Sequence, residues 1–154
     1  MNPYTMHDYR HSVRQMRQEF NVVLKNKGLT EEDIAHLNDV VGVENVMLLG
    51  DVTEHDLFAG NTPASDVDLS FLGGKKRCQL LRLVYLAQEL RKAEYSWLTH
   101  AEKYQLFLRG DVNFITMGEQ ETLEKLMRDV EHRATRWLAT NISRAELAEW
   151  EQEL

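Results

Sequence analysis

Gly60-Asn61-Thr62-Pro63-Ala64-Ser65-Asp66-Val67-Asp68-Leu69-Ser70-Phe71-Leu72 places two carboxylates one residue apart at the head of an apolar run. Side chains alternate along a strand, so a strand here puts Asp66 and Asp68 on one face. Two carboxylates held that close raise one another's pKa unless a cation lies between them, and a divalent metal ion is the usual occupant. Upstream, Asn45-Val46-Met47-Leu48-Leu49-Gly50 reads as a second buried strand that runs into a glycine, where backbone can approach a ligand closely. Together the two stretches outline a metal and phosphate site. They carry the expectation of an α/β (α+β) domain with a small mixed central β-sheet flanked by helices.

This arrangement resembles the DNA polymerase beta-type nucleotidyltransferase superfamily, and most closely its small stand-alone domains. Members carry a strand ending in Gly-Ser, a loop, and Asp-x-Asp opening the next strand. The matching residues are Leu49-Gly50-Asp51 and Ser65-Asp66-Val67-Asp68-Leu69, and the resemblance covers about residues 46–117. It implies transfer of a nucleotidyl group from a nucleoside triphosphate to a hydroxyl of a protein or RNA acceptor. Mg2+ or Mn2+ would be held by Asp66 and Asp68, with Gly50, Asp51, Ser65, Lys75 and Lys76 around the phosphates. Such chemistry works by positioning and charge neutralisation. Two positions depart from the pattern. Asp51 stands where the family has Ser or Gly. The third carboxylate falls on Asp111-Val112-Asn113-Phe114-Ile115-Thr116-Met117, where Asn113 takes the acidic position and Asp111 lies one pleat earlier. An amide oxygen can still ligate a hard cation, but the site loses a charge. A catalytic member would modify its partner as stand-alone relatives do in toxin-antitoxin pairs; the alternative reading is a catalytically degenerate member that binds a partner protein as a regulator or inhibitor.

The rest of the chain reads as helices around that region. Met6, Tyr9, Val13, Met16, Phe20 and Val23 form one stripe on a helix over residues 5–27, either a core face or a seam for a partner or a second copy. Thr30-Glu31-Glu32-Asp33 is a capping box that opens a short helix ending near Gly42. Gly73-Gly74 breaks into an amphipathic helix carrying Leu80, Leu81, Val84, Tyr85 and Leu90. Its first turn holds Lys75-Lys76-Arg77, where cations oppose the helix dipole and an anion would compensate. Tyr104 to Arg109, Gly110-Asp111 and Val112 to Met117 suggest a hairpin, although Thr99-His100-Ala101-Glu102 also reads as a helix cap. A long helix from Gly118 stops at Asn141, and Ser143-Arg144-Ala145-Glu146 caps a last one.

Composition sets outer limits. The 154 residues are 43% hydrophobic and 28% charged, which fits one domain: an N-terminal helix (1–27), a motif-bearing sheet region (45–117) and C-terminal helices (118–154). A net charge of -7 argues against extended nucleic-acid binding, which needs clustered Lys and Arg. No apolar run approaches the ~20 residues of a membrane span, and the polar N-terminus lacks a signal pattern. With Cys78 as the single cysteine, these features lead to the expectation of a cytoplasmic protein. Of six histidines, only His7 and His11 have the i, i+4 spacing of a zinc pair, and no third ligand stands nearby. His55 falls in the loop between Gly50 and Asp66.

Overall fold

Leucines and other apolar residues on every side of one helix make it the centre of this molecule. In the computed structural model, which describes residues 6–58, 69–113 and 115–153, with side chains from Ser12 onward, that helix is Gly74–Leu90. It buries Leu80, Leu81, Leu83, Val84, Tyr85, Leu86, Ala87 and Leu90, too many for a single amphipathic stripe. In chain order the α-helices are α1 (Met6–Asn26), α2 (Glu31–His36), α3 (Glu54–Phe58), α4 (Gly74–Leu90), α5 (His100–Arg109), α6 (Met117–Asn141) and α7 (Arg144–Glu151). A π-turn, Leu37–Val41, continues α2, and 3-10 turns occupy Leu48–Asp51 and Ala93–Tyr95.

The described residues contain helices and turns and no strand, so the expected α/β fold with a central sheet is corrected to an all-helical one. The buried positions give the physical reason. A strand over Asn45 to Gly50 would bury alternate residues, yet Val46 and Leu49 are buried three apart while Leu48 is 42% exposed. That is the period of a turn of helix. Likewise Leu69 and Leu72 are buried while Phe71 faces outward onto His36, and the Leu72 N–H closes a turn on the Leu69 carbonyl. The expected hairpin is also absent. Thr99 and Glu102 form a reciprocal capping box that starts α5, and Tyr104 to Arg109 is its second half. Gly110, at φ +80°, ends that helix with its N–H on the Leu106 carbonyl, a left-handed position that any other residue would occupy under strain.

The helices themselves follow the sequence closely. Thr30 with Asp33 and Thr116 with Glu119 are capping boxes, and the Ser143 hydroxyl accepts from the Glu146 N–H. Gly42, at φ +87°, ends the α2 segment. Among the described side chains of the α1 stripe, the C-terminal ones are core: Phe20, Val23 and the adjoining Leu24 are fully buried, whereas Val13 is 40% exposed. The side chains of Met6 and Tyr9, and those of His7 and His11, lie outside the described residues.

α6 lays Leu123, Leu126, Val130, Ala134 and Leu138 along α4. α1 is tied to α5 by the Asn26 side chain, which donates to the Leu108 carbonyl at 3.0 Å, and by the 2.9 Å contact of His100 with Glu19. No described helix is long and apolar enough to cross a membrane.

Candidate functional site

Of the residues read as a phosphate and metal site, the described ones are spread between the two ends of α4 and the connection after α5 rather than gathered at one point. Asp66, Asp68 and Ser65 lie outside the described residues. Gly50 and Asp51 sit at the C-terminal end of α4, where Gln88 donates to the Gly50 carbonyl at 3.2 Å and Arg91 pairs with Asp51 at 2.9 Å. The Arg91 guanidinium also donates to the Met47 carbonyl and packs so closely on Gly50 that a Cβ there would lie 2.8 Å from Cζ.

Lys75 and Lys76 belong to the first turn of α4. At 1.5 Å per residue, Lys75 stands roughly 20 Å along the helix from Gln88. A single phosphate group cannot bridge that span. Asp111 and Asn113 are exposed in the connection after α5, Asp111 about an ion-pair length from Arg109 at 4.0 Å. Among the described residues, no three His, Cys, Asp or Glu side chains converge as metal ligands. The residues expected to hold the metal, Asp66 and Asp68, are not among them, and of the expected phosphate-binding residues Asp51 pairs with Arg91 and stands apart from the basic turn.

The basic turn is engaged within the chain, one cation per neighbouring segment. The Lys76 ammonium donates to Asp33 of α2 at 2.7 Å. Burial pushes the Asp33 carboxyl up, but the hydrogen bonds from Lys76 and Thr30 outweigh it and hold the group below its ordinary value. Arg77 donates to the Leu57 carbonyl at 3.2 Å, and its guanidinium carbon lies 5.6 Å from the Phe58 ring and 5.3 Å from the Trp150 ring. Lys75 reaches the Glu153 carbonyl at 3.2 Å. These contacts supply what the sequence reading sought in an external anion: each offsets a cation that the helix dipole disfavours.

Beside this turn, α4, α6 and α7 enclose a cleft of about 340 Å³. Each helix contributes by the i, i+3, i+4 rule that places side chains on one face. Lys75, Cys78, Gln79 and Arg82 come from α4, Thr135, Leu138 and Ala139 from α6, and Leu147, Trp150 and Glu151 from α7. The walls are apolar and the rim is charged. Arg82 is fixed across it by a two-pronged bond to Glu131 at 2.6 and 3.0 Å, and that bond draws the Glu131 carboxyl below its usual value. Burial pushes the Cys78 thiol up, which keeps it protonated and a poor nucleophile. Further along α4 and outside the cleft lining, the Tyr85 hydroxyl donates to Glu54 at 2.7 Å and Arg133 lies over its ring, and burial followed by the Glu54 bond pushes its pKa up.

Sequence reasoning missed this cleft. Its signal was present in the shared spacing of Cys78, Gln79 and Arg82 with Leu147 and Trp150, but nothing in one sequence says which two helix faces meet. No protein-family model matches the chain, and no curated protein or solved structure does either.

Proposed function

We propose that this chain is a protein-binding domain, with the cleft between α4, α6 and α7 as its docking surface. The observation that carries the reading is the cleft's construction: a solvent-open apolar trough walled by Leu138, Ala139, Leu147 and Trp150 and rimmed by Lys75, Arg82 and Glu151. Such a trough suits the apolar face of a helix, whose anchors at i, i+3 and i+4 fill it while its flanks meet the charged rim. A tryptophan on the wall is the residue type that most often concentrates binding energy. This is the regulator or inhibitor alternative of the sequence reading. It is favoured over nucleotidyl transfer because Gly50 and Asp51 stand a helix-length from Lys75 and Lys76.

Two measurements test it. Calorimetric titration with ATP, GTP, CTP and UTP, with and without magnesium, should give no heat of binding. A magnesium-dependent isotherm lost on Asp66→Asn would contradict the proposal in favour of the enzyme. A photoreactive residue at Gln79, inside the cleft, should cross-link a discrete partner, and the adduct should disappear on Leu147→Lys. The same probe at Val40, which is 71% exposed and far from the cleft in sequence, should not give that adduct.

A further inference from the structure

Three side-chain rungs join α1 to the α2 segment, and the middle one is incomplete. At one end Arg17 pairs with Asp39 at 2.5 Å, and at the other Lys25 pairs with Glu31 at 3.6 Å. Between them the Asn38 side-chain amide donates to the Asn21 Oδ1 at 2.9 Å. Arg17, Asn21 and Lys25 recur every four residues, so one face of α1 supplies all three partners. Asn38 stands in the π-turn, a local form that often marks functional sites, and there two consecutive side chains turn inward: Leu37 is 0% exposed and Asn38 4%. Leu37 joins the core. Asn38 is the buried polar residue among the described ones, and its Oδ1 has no hydrogen-bond partner. A buried acceptor left unpaired destabilises the fold, so its retention calls for a reason other than packing. Nor does the Asn21 Nδ2 donate to any group among the described residues. Both amides line a cleft of about 370 Å³, together with Val22, Ile34 and Ala35.

We propose that this cleft binds a small neutral molecule with a carboxamide or lactam edge, an N–H beside a carbonyl oxygen. The walls set the class. Asn38 Oδ1 accepts, Asn21 Nδ2 donates, and Val22, Ile34 and Ala35 cover an apolar body. Asparagine's terminal torsion is soft, so the Asn38 amide turns its oxygen to a donor in the cleft without backbone movement. The rim sets the charge, because Arg17 and Lys25 are each matched to a carboxylate and no unpaired ion faces the occupant. The end rungs set the size. Arg17 and Lys25 stand ~12 Å apart along α1, so a single ring fits between the rungs, whereas a peptide lying along the groove would have to break both. The volume is at the lower end of the range for small-molecule sites. No residue of this cleft lines the one between α4, α6 and α7, so the proposal stands independently of that docking surface.

The test is proton–nitrogen correlation NMR of the full-length, nitrogen-labelled chain, with nicotinamide and uracil as probes at millimolar concentration. Both are neutral, ring-sized and carry the required edge. At least one should shift the side-chain NH2 signals of Asn21 and Asn38 saturably. Its counterpart without the N–H, nicotinate or dimethyluracil, should bind at least about tenfold more weakly. Asn38→Leu removes the acceptor, and Asn21→Asp removes the donor while keeping an oxygen for the Asn38 amide. Each should weaken the probe by about tenfold or more, read from the backbone signals of residues 34–39. Asn21 is only half-buried, so its variant serves if the amide dispersion shows that Asn38→Leu is not folded. Leu147→Lys, in the other cleft, should leave probe binding unchanged. No saturable shift with either probe, equal binding of the counterparts without the N–H, or undiminished binding in the folded variants overturns the proposal.

Discussion

The two ends of α4 are clamped with similar chemistry and for different consequences. At the C-terminal end, Arg91 and Gln88 hold the Met47–Asp51 turn, and that turn carries Leu49 into the core at 1% exposure, next to buried Val46 and Val52. At the N-terminal end, Glu153, Trp150 and Lys75 hold α7, which buries nothing fully. A contact between internal core segments cannot open without exposing the core, so its opening costs about as much as unfolding. A contact to a peripheral helix opens locally. The same hydrogen-bond count can therefore fix a fold at one end of a helix and form a releasable joint at the other.

The largest effect should come from the core side of this contrast. Leu49→Ala should cost about 2–5 kcal/mol, read by urea unfolding, with the loss shared by every spectroscopic probe. Gly50→Ala should cost less, about 1 kcal/mol, because its Cβ displaces only the end of the flexible Arg91 side chain and severs the bonds to Asp51 and Met47. Arg91→Met should cost about the same, and the double variant should be well short of additive, since both remove one set of contacts.

Gly74→Ala should behave differently. Alanine is the better helix former by about 0.5–1 kcal/mol, so the global unfolding midpoint should hold or rise while Trp150 is expelled and its emission shifts. A loss of global stability comparable to that of Leu49→Ala would erase the contrast between the two ends. The smallest effect concerns acid. Glu131, drawn down by Arg82, contributes stability that is fully present above its usual 4.5 and is lost as pH falls through its lowered folded value. Glu131→Gln should therefore cost a few tenths of a kcal/mol at neutral pH, as for partly exposed pairs, with the difference from wild type vanishing as pH falls below ~4.5 and Glu131 itself becomes protonated.

The helices were legible because their signals are local. Thr30-x-x-Asp33, Thr99-x-x-Glu102 and Ser143-x-x-Glu146 each name a start, and Gly28, Gly42 and Gly110 each name a stop. The strands were misread because a six-residue apolar run has no periodicity long enough to separate a strand from a buried turn. Val46-Met47-Leu48-Leu49 satisfies both, and only burial three apart decides. Gly110-Asp111 was taken for a hairpin turn because a helix-ending glycine and a turn glycine share one requirement, a positive φ. The resemblance to nucleotidyltransferases rested on Leu49-Gly50-Asp51 and Ser65-Asp66-Val67-Asp68-Leu69, and its Asp66 and Asp68 fall outside the described residues. The basic turn was read as inviting an external anion. That Asp33 takes the Lys76 ammonium and the Glu153 carboxylate takes the Lys75 backbone N–H, 43 and 78 residues away, is tertiary information no local pattern holds.

Hydrogen exchange followed by mass spectrometry on the full-length chain tests the central claim most directly, by comparing peptides spanning α7 and the first turn of α4 with peptides spanning residues 47–52. The account predicts that α7 and the Gly74 and Lys75 amides exchange through a local opening, roughly a hundredfold or more faster than the protected amides of the Met47–Val52 turn, and that Glu153→Gln speeds only the former. Equal protection at both ends of α4, falling together in Glu153→Gln, would show that α7 is part of the global folding unit and would contradict the account.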